Sequence, residues 1–146
     1  MGKILSVNIS EKKGEKKHNI NACRALIDQG LENDAHIGMA IRQISLLAAE
    51  SIEKIRQKGL NVNYGDFAEN LTTEGIELYT LPLGTKIKVG KDVLLEVTQI
   101  GKTCAKPCAI FYAVGDCVMP KEGIFARVLS EGNIKTGDDI TICHDI

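Results

Sequence analysis

Three cysteines, Cys104, Cys108 and Cys117, fall within one stretch, VTQIGKTCAKPCAIFYAVGDCVMPKEGIFARV from Val97 to Val128, and Lys102 and Lys106 flank the first of them. A thiol beside two ammonium groups ionises more readily, and the thiolate is the form that attacks carbon or sulfur and ligates soft metals. Cys104 also follows a strand exit at Gln99 to Gly101, which suits an exposed nucleophile or ligand. Cys108 and Cys117 fit either a reactive role or the bland one, since free cysteine is among the most buried residue types. Cys23 and Cys143 sit inside strand-like runs and read as core. The C-x3-C-x8-C spacing lacks a fourth ligand at a recognised distance, with neither His36 nor Cys143 placed to supply one, which counts against a structural zinc site.

A second group of chemistry-bearing residues lies upstream. His36 follows Asp34 in the loop GLENDAHIGMA, and Arg42 stands just before the apolar run ISLL. Together with Lys102 and Arg127 they offer donors to a phosphate or another oxyanion, Arg42 with bidentate geometry. The alternative is that Arg42 pairs with a neighbouring carboxylate, Glu69 or Asp66.

The elements that must hold these residues are short. Met1 to Ile9 alternates like a strand, EKKGEKKHN reads as a solvated hairpin tip, and Ala22 to Ile27 suits a second strand. From Ser45, the faces formed by Leu46, Ala49, Ile52 and Ile55 predict a helix, with Glu50 four residues before Lys54 and Gly59 at its end. Beyond Gly59, apolar and β-branched runs recur between closely spaced glycines, the pattern of a compact antiparallel barrel or sandwich rather than of βαβ units. Ala105 to Val114 reads as a short helix across one end.

Bulk properties narrow the function class. A chain of 146 residues, 44% hydrophobic and 25% charged, supports one domain with a complete core. A formal net charge of -1 leaves no global field for phosphodiester backbone, so a nucleic-acid partner is not expected. The apolar runs fall far short of the roughly 20 residues that span a bilayer. Without a secretory pattern at Met1, and with an odd number of cysteines, five, a cytoplasmic protein is expected. P-loop, GxGxxG, GxSxG, HExxH and CxxC motifs are all absent, which removes the common nucleotide and hydrolase chemistries.

Four blocks carry a family likeness: GLENDAHIG with RQISLLAAESI, then GDFAENLTTEGIELYTLPLGTKIKVG, then LLEVTQIGKTCAKPC, then GDCVMPKEGIFARV with GNIKTGDDI. In order and spacing they resemble the MOSC domain, named for the C-terminal domain of molybdenum cofactor sulfurases, in its short stand-alone bacterial form. The resemblance covers nearly the whole chain. It implies a mainly β, MOSC-type barrel with a few short helices, a single domain over residues 1–146, and a cleft with one functional cysteine. The matching cysteine is Cys104, implied as a ligand of molybdenum in the pyranopterin cofactor (molybdopterin) or as a carrier of sulfur; no pyridoxal phosphate is implied. His36, Arg42 and Asn70 match family positions, and Lys102 joins them around the anionic cofactor. If catalytic, such a protein resembles reductases of N-hydroxylated compounds and needs a separate electron-donor protein, since this chain has no flavin or iron–sulfur motif. The alternative is a non-catalytic carrier or adaptor with a sulfur-donor partner, in which Cys108 or Cys117 resolves the persulfide.

Two departures stand out. Gln99-Ile100-Gly101 replaces the Gln-Pro-Arg of characterised relatives, which removes an arginine, and Asn33-Asp34-Ala35-His36 replaces Gly-Asp-x-His. Alkylation of the native protein should modify Cys104 well before Cys23 and Cys143. Peptide mass mapping that finds all three equally slow would contradict the activated thiol.

Overall fold

The computed structural model describes residues 2–12, 15–35, 37–101 and 119–143. His36, Lys102, Cys104, Cys108, Cys117 and the helix expected over Ala105 to Val114 lie outside the described residues. In chain order the elements are β1 Gly2–Ile9, β2 His18–Asn19, β3 Ala22–Leu26, β4 Gly30–Leu31, β5 Ile44–Ala48, α1 Ala49–Arg56, β6 Leu71–Glu74 and a 3-10 turn Leu78–Thr80. They continue with β7 Lys86–Val89, β8 Val93–Ile100, α2 Met119–Glu122, β9 Ile124–Ser130, β10 Gly132–Lys135 and β11 Asp139–Cys143.

Seven of these strands close a barrel in the order β1, β6, β5, β9, β8, β7, β11, and β11 pairs back onto β1 through Gly2 opposite Ile140 and Lys3 opposite Asp139. A Lys3–Asp139 ion pair lies on the outer side of that seam. β2 extends β1, and β10, β3 and β4 form a separate three-stranded sheet. Closure leaves the seven strands without an unpaired edge.

The interior is filled by alternating apolar residues. Ile87 and Val89 of β7, Val93, Leu95 and Val97 of β8, and Ile124, Ala126 and Val128 of β9 belong to one core with Ile4, Val7, Ile44 and Leu46. Ile4 and Val7 are three apart, which a regular strand cannot place on one face. The register shift between Ile4 and Ser6 solves this by changing the parity of β1. Val7 then points into the barrel, and Ser6 and Asn8, also buried, are released to the opposite side.

The structure corrects two expectations about the first half. Ser45 to Ala48 is strand, not helix; the helix begins at Ala49. All five residues of β5 are buried, and a short run that is apolar all round carries no periodicity to separate strand from helix. Pairing decides it, because β5 is flanked by β9 on one edge and β6 on the other. The β5–β6 pair is also parallel, so the barrel is not purely antiparallel. A parallel neighbour requires a crossover, and α1 with the loop up to Asn70 provides it. Ile52 and Ile55 of α1 pack with Leu47, Val62, Phe67 and Phe125 in a second core outside the barrel. Gly59 closes the turn after the helix, its amide donating to Arg56 O. Glu50 and Lys54 turn to tertiary partners: Glu50 accepts from the Gly75 amide, and Lys54 binds Glu122.

No helix among the described residues is long and apolar enough to cross a membrane. Leu46 is fully buried in the barrel interior. Leu46→Ala should lower unfolding free energy by roughly 2–5 kcal/mol in urea titration, and a loss below about 1 kcal/mol would contradict its interior position.

Candidate functional site

Arg42 leads into β5, and its backbone is clamped on both sides. Thr98 Oγ1 donates to Ile41 O. The buried Gln43 side chain donates to Ala40 O and Asp28, and its Oε1 accepts from the Val128 amide at 2.9 Å. The guanidinium lies 5.3 Å from the centre of the Phe125 ring, within cation–π range. Arg42 Nε donates to Gln99 Oε1 at 3.2 Å, and Gln99 Nε2 donates to Gly101 O at 2.8 Å. The carboxylates expected to compete for Arg42 are committed elsewhere: Asp66 accepts from the Asn63 amide, and Glu69 from two backbone amides and a hydroxyl.

Gly101 forms a neck. Its amide donates to Gly123 O at 2.6 Å, so the chain leaves β8 and returns toward β9 at adjacent points. Gly101 has φ +67°, a conformation that disfavours side chains, and it is buried. An arginine in this place, as in the Gln-Pro-Arg pattern, would carry backbone strain here. Cys104 lies three residues beyond this neck along the chain.

Behind Arg42 lies a buried polar network that sequence reasoning missed. Lys17, from the loop expected to be solvated, has a side chain with 0% exposure; its Nζ is 2.8 Å from Asp34 Oδ1 and donates to Ser10 Oγ at 3.1 Å. The Ser10 amide also donates to Asp34 Oδ1. Burial pushes the Asp34 pKa up, but the Lys17 hydrogen bond and charge, with donors from Ser10 and Asn70, outweigh it and hold the carboxyl below its ordinary value. Lys17 itself is held by its amide on Gly65 O. Gly65 has φ +95°, and a Cβ there would stand 2.2 Å from Lys17 O, so only glycine fits.

Asn70 joins this pair to the barrel. Its Oδ1 accepts from the Ser45 amide and hydroxyl, and its Nδ2 donates to Asn8 O, in addition to its bond with Asp34. Both ends of the Asn70 amide are engaged within the protein, and the residue is fully buried. The structure therefore gives it a bracing position between β1 and β5. Asn8 continues the network to Ser6, Thr72 and Glu69 O. Burial pushes the Glu69 pKa above the ordinary carboxylate value, and donors from Gly65, Thr72 and Phe67 offset this only in part.

Phe125 and Arg127 are two apart on β9 and share its outer face. Beside them is a cleft of about 610 Å³ lined by Asp28, Gly38, Ile41, Glu96, Thr98 and Arg127. Arg127 Nε donates to Glu96 Oε1 at 2.8 Å, which partly neutralises the cation. Ala35 and Gly38, on either side of His36 in the chain, are anchored by their amides on Ser10 O and Gln29 O. Thus the structure brings Arg42, Gln99 and Gly101 together where β8 ends and β9 begins, while Arg127 pairs with Glu96 at the middle of those strands and Asn70 belongs to the buried network. Cys23 is half-buried against the core, and burial followed by the charge of Glu32 pushes its thiol up, as befits an unreactive residue. Cys143 is also half-buried, in a groove beside Lys86. Among the described residues no group of His, Cys, Asp or Glu could hold a metal ion.

The two buried carboxylates have opposite pH signatures. Asp34, with its lowered pKa, contributes stability that is present above about pH 3.9 and lost as pH falls through its native value. Glu69, with its raised pKa, holds a proton in the native state that the unfolded chain has released above about pH 4.3, so stability falls as pH rises through that window. Glu69→Gln should abolish the second decline in urea midpoints measured from acidic to neutral pH. An unchanged slope would show that Glu69 does not titrate in this way.

The fold has known counterparts. The family model of the MOSC domain matches residues 33–141. No curated protein matches the sequence. Among solved structures, the YUAD protein from Bacillus subtilis is similar at a TM-score of 0.80 and 18% identity, over 96% of this chain and 94% of that one. YiiM from Geobacillus stearothermophilus gives 0.72 and 22%, over 99% and 76%. YiiM from Escherichia coli gives 0.68 and 18%, over 100% and 71%. At these identities the structural likeness is one of fold.

Proposed function

Because the chain belongs to the MOSC domain family, with more than half its length matched by the family model, we propose that it binds the pyranopterin molybdenum cofactor through the Cys104 thiolate. The observation that carries this reading is the relay from Arg42 through Gln99 to Gly101, which sets a cation beside the neck from which the chain runs to Cys104. Cys104 follows that neck by three residues in the chain.

The residues present suit such a group. The cofactor ends in a phosphate, and Arg42 is a permanent cation with planar donors, held in place by Phe125 and Gln99. Lys102 and His36 complete the cationic side, the sulfur of Cys104 is a soft donor for molybdenum, and Asn70 acts as a brace rather than a contact. When bound, the cofactor supplies a redox-active metal; the protein's tasks are to hold its phosphate, orient it and present the thiolate. In its catalytic form the reading is a reductase of N-hydroxylated compounds fed by a separate electron-donor protein.

The buried Gly101 at positive φ favours keeping a second reading, a non-catalytic sulfur or cofactor carrier, because the arginine of the characterised relatives is replaced there by a structural neck. Protein purified from a molybdenum-replete host should contain molybdenum and pterin, and Cys104→Ala should lose the metal. Equal, negligible contents in both would sink the cofactor reading. Intact mass spectrometry after mild persulfidation separates the carrier, which gains one sulfur at Cys104 and passes it on.

A further inference from the structure

We propose that Lys17 is a positioning residue of the cofactor site: its buried ammonium fixes Asp34, Ala35, Ile37 and Gly38, the described residues on either side of position 36, relative to β5, into which Arg42 leads. The functional consequence rests on the cofactor reading, whereas the structural basis does not.

The ammonium is directional. Lys17 Nζ reaches Asp34 Oδ1 at 2.8 Å and Ser10 Oγ at 3.1 Å with no exposed side-chain surface, and the same Asp34 oxygen accepts from the Ser10 amide at 3.1 Å. From this point the segment is pinned by backbone: Ala35 N to Ser10 O at 2.9 Å, Ile37 N to Asp34 O at 3.2 Å, and Gly38 N to Gln29 O at 2.9 Å. The other direction leads to Arg42. Asn70, whose side chain helps to lower the Asp34 pKa, accepts from the amide and hydroxyl of Ser45, which lies in β5 shortly after Arg42. The two sides of the site are therefore referenced to a single carboxylate, and that carboxylate is held by Lys17.

Stability alone does not account for such an arrangement. A buried ion pair seldom improves on well-packed apolar residues, because desolvation consumes the Coulombic gain. What it adds is geometry, since an ammonium shared between a carboxylate and a hydroxyl, with the Ser10 amide on the same carboxylate oxygen, accepts few other arrangements. The second anchor agrees: Gly65 is forced by the approach of Lys17 O, so the lysine backbone is as closely fixed as its head group.

Lys17→Met alone leaves the Asp34 charge buried without its ammonium and should destabilise the whole protein. The decisive variant is the neutral pair Lys17→Met with Asp34→Asn, in which the methionine fills the lysine stem and the asparagine oxygen still accepts from Ser10. Amide exchange followed by NMR should show lost protection at Ala35 and Ile37 with Leu46 unchanged, and molybdopterin released from a molybdoenzyme should bind roughly 10–100-fold more weakly than to wild type, as for other groups that orient ligands from behind. Wild-type protection at Ala35 and Ile37 in the neutral pair would overturn the brace. Lost protection with undiminished molybdopterin affinity would overturn its link to the site. A wild-type protein that takes up no molybdopterin overturns the cofactor reading instead, while the exchange result still judges the brace.

Discussion

An ammonium sealed against water on a single carboxylate is the constraint around which the first half of this chain is arranged. Taking Lys17 and Asp34 out of water is unfavourable for each alone, and removing one partner of such a pair typically costs about 3–5 kcal/mol. The pair persists because its neighbouring polar groups are also matched: Ser10 by hydroxyl and amide, Asn70 by Ser45 and Asn8, Asn8 by contacts to Ser6, Thr72 and Glu69. In a low-dielectric interior a network of this kind is stable when complete and costly when broken. Its members come from β1, the loop after it, the Asp34 loop, β5 and β6, so it fixes segments that backbone pairing alone leaves unaligned.

That network depends in turn on one irregularity in β1. The shift between Ile4 and Ser6 lets a single strand line the barrel with Ile4 and Val7 and still direct Ser6 and Asn8 to the polar side. Without it, either Val7 would leave the core or Asn8 would enter it unpaired. The parallel β5–β6 pair has a related effect, because its crossover brings the Asn63 to Asn70 loop back over the outer face of the barrel, where Phe67 packs with Phe125 and Glu69 and Asn70 reach the network. A barrel of hairpins alone would have no segment in that position.

Much of the architecture was legible in the sequence, and the exceptions have physical causes. The strands of the second half show clear period-two alternation, as in KIKV of β7, and the order of the four family blocks points to the MOSC barrel. ISLLA misleads because a strand buried on both faces loses its period, which lets Leu46 match the helical face of Ala49, Ile52 and Ile55. Lys17 was invisible for the opposite reason: one lysine among several in a charged loop carries no local sign that it turns inward to a carboxylate on another segment. Asn70 was found by its place in a motif, but motif position cannot separate a residue that touches a ligand from one that braces its neighbours. Arg42 has Gln99 and Phe125 as partners rather than Glu69 or Asp66, because both carboxylates are held by groups nearer in the chain.

The hydrogen bond from Gly101 to Gly123 O has an evolutionary side. It brings the two ends of the intervening chain together, so the barrel experiences that chain as a loop closed at a fixed point. Closing a longer loop is inexpensive, about 0.6 kcal/mol for each doubling of length. A change in the number of residues between Gly101 and Gly123 therefore costs the barrel little, because its register and packing are set by other strands. A scaffold built this way separates the inheritance of its fold from the inheritance of its chemistry.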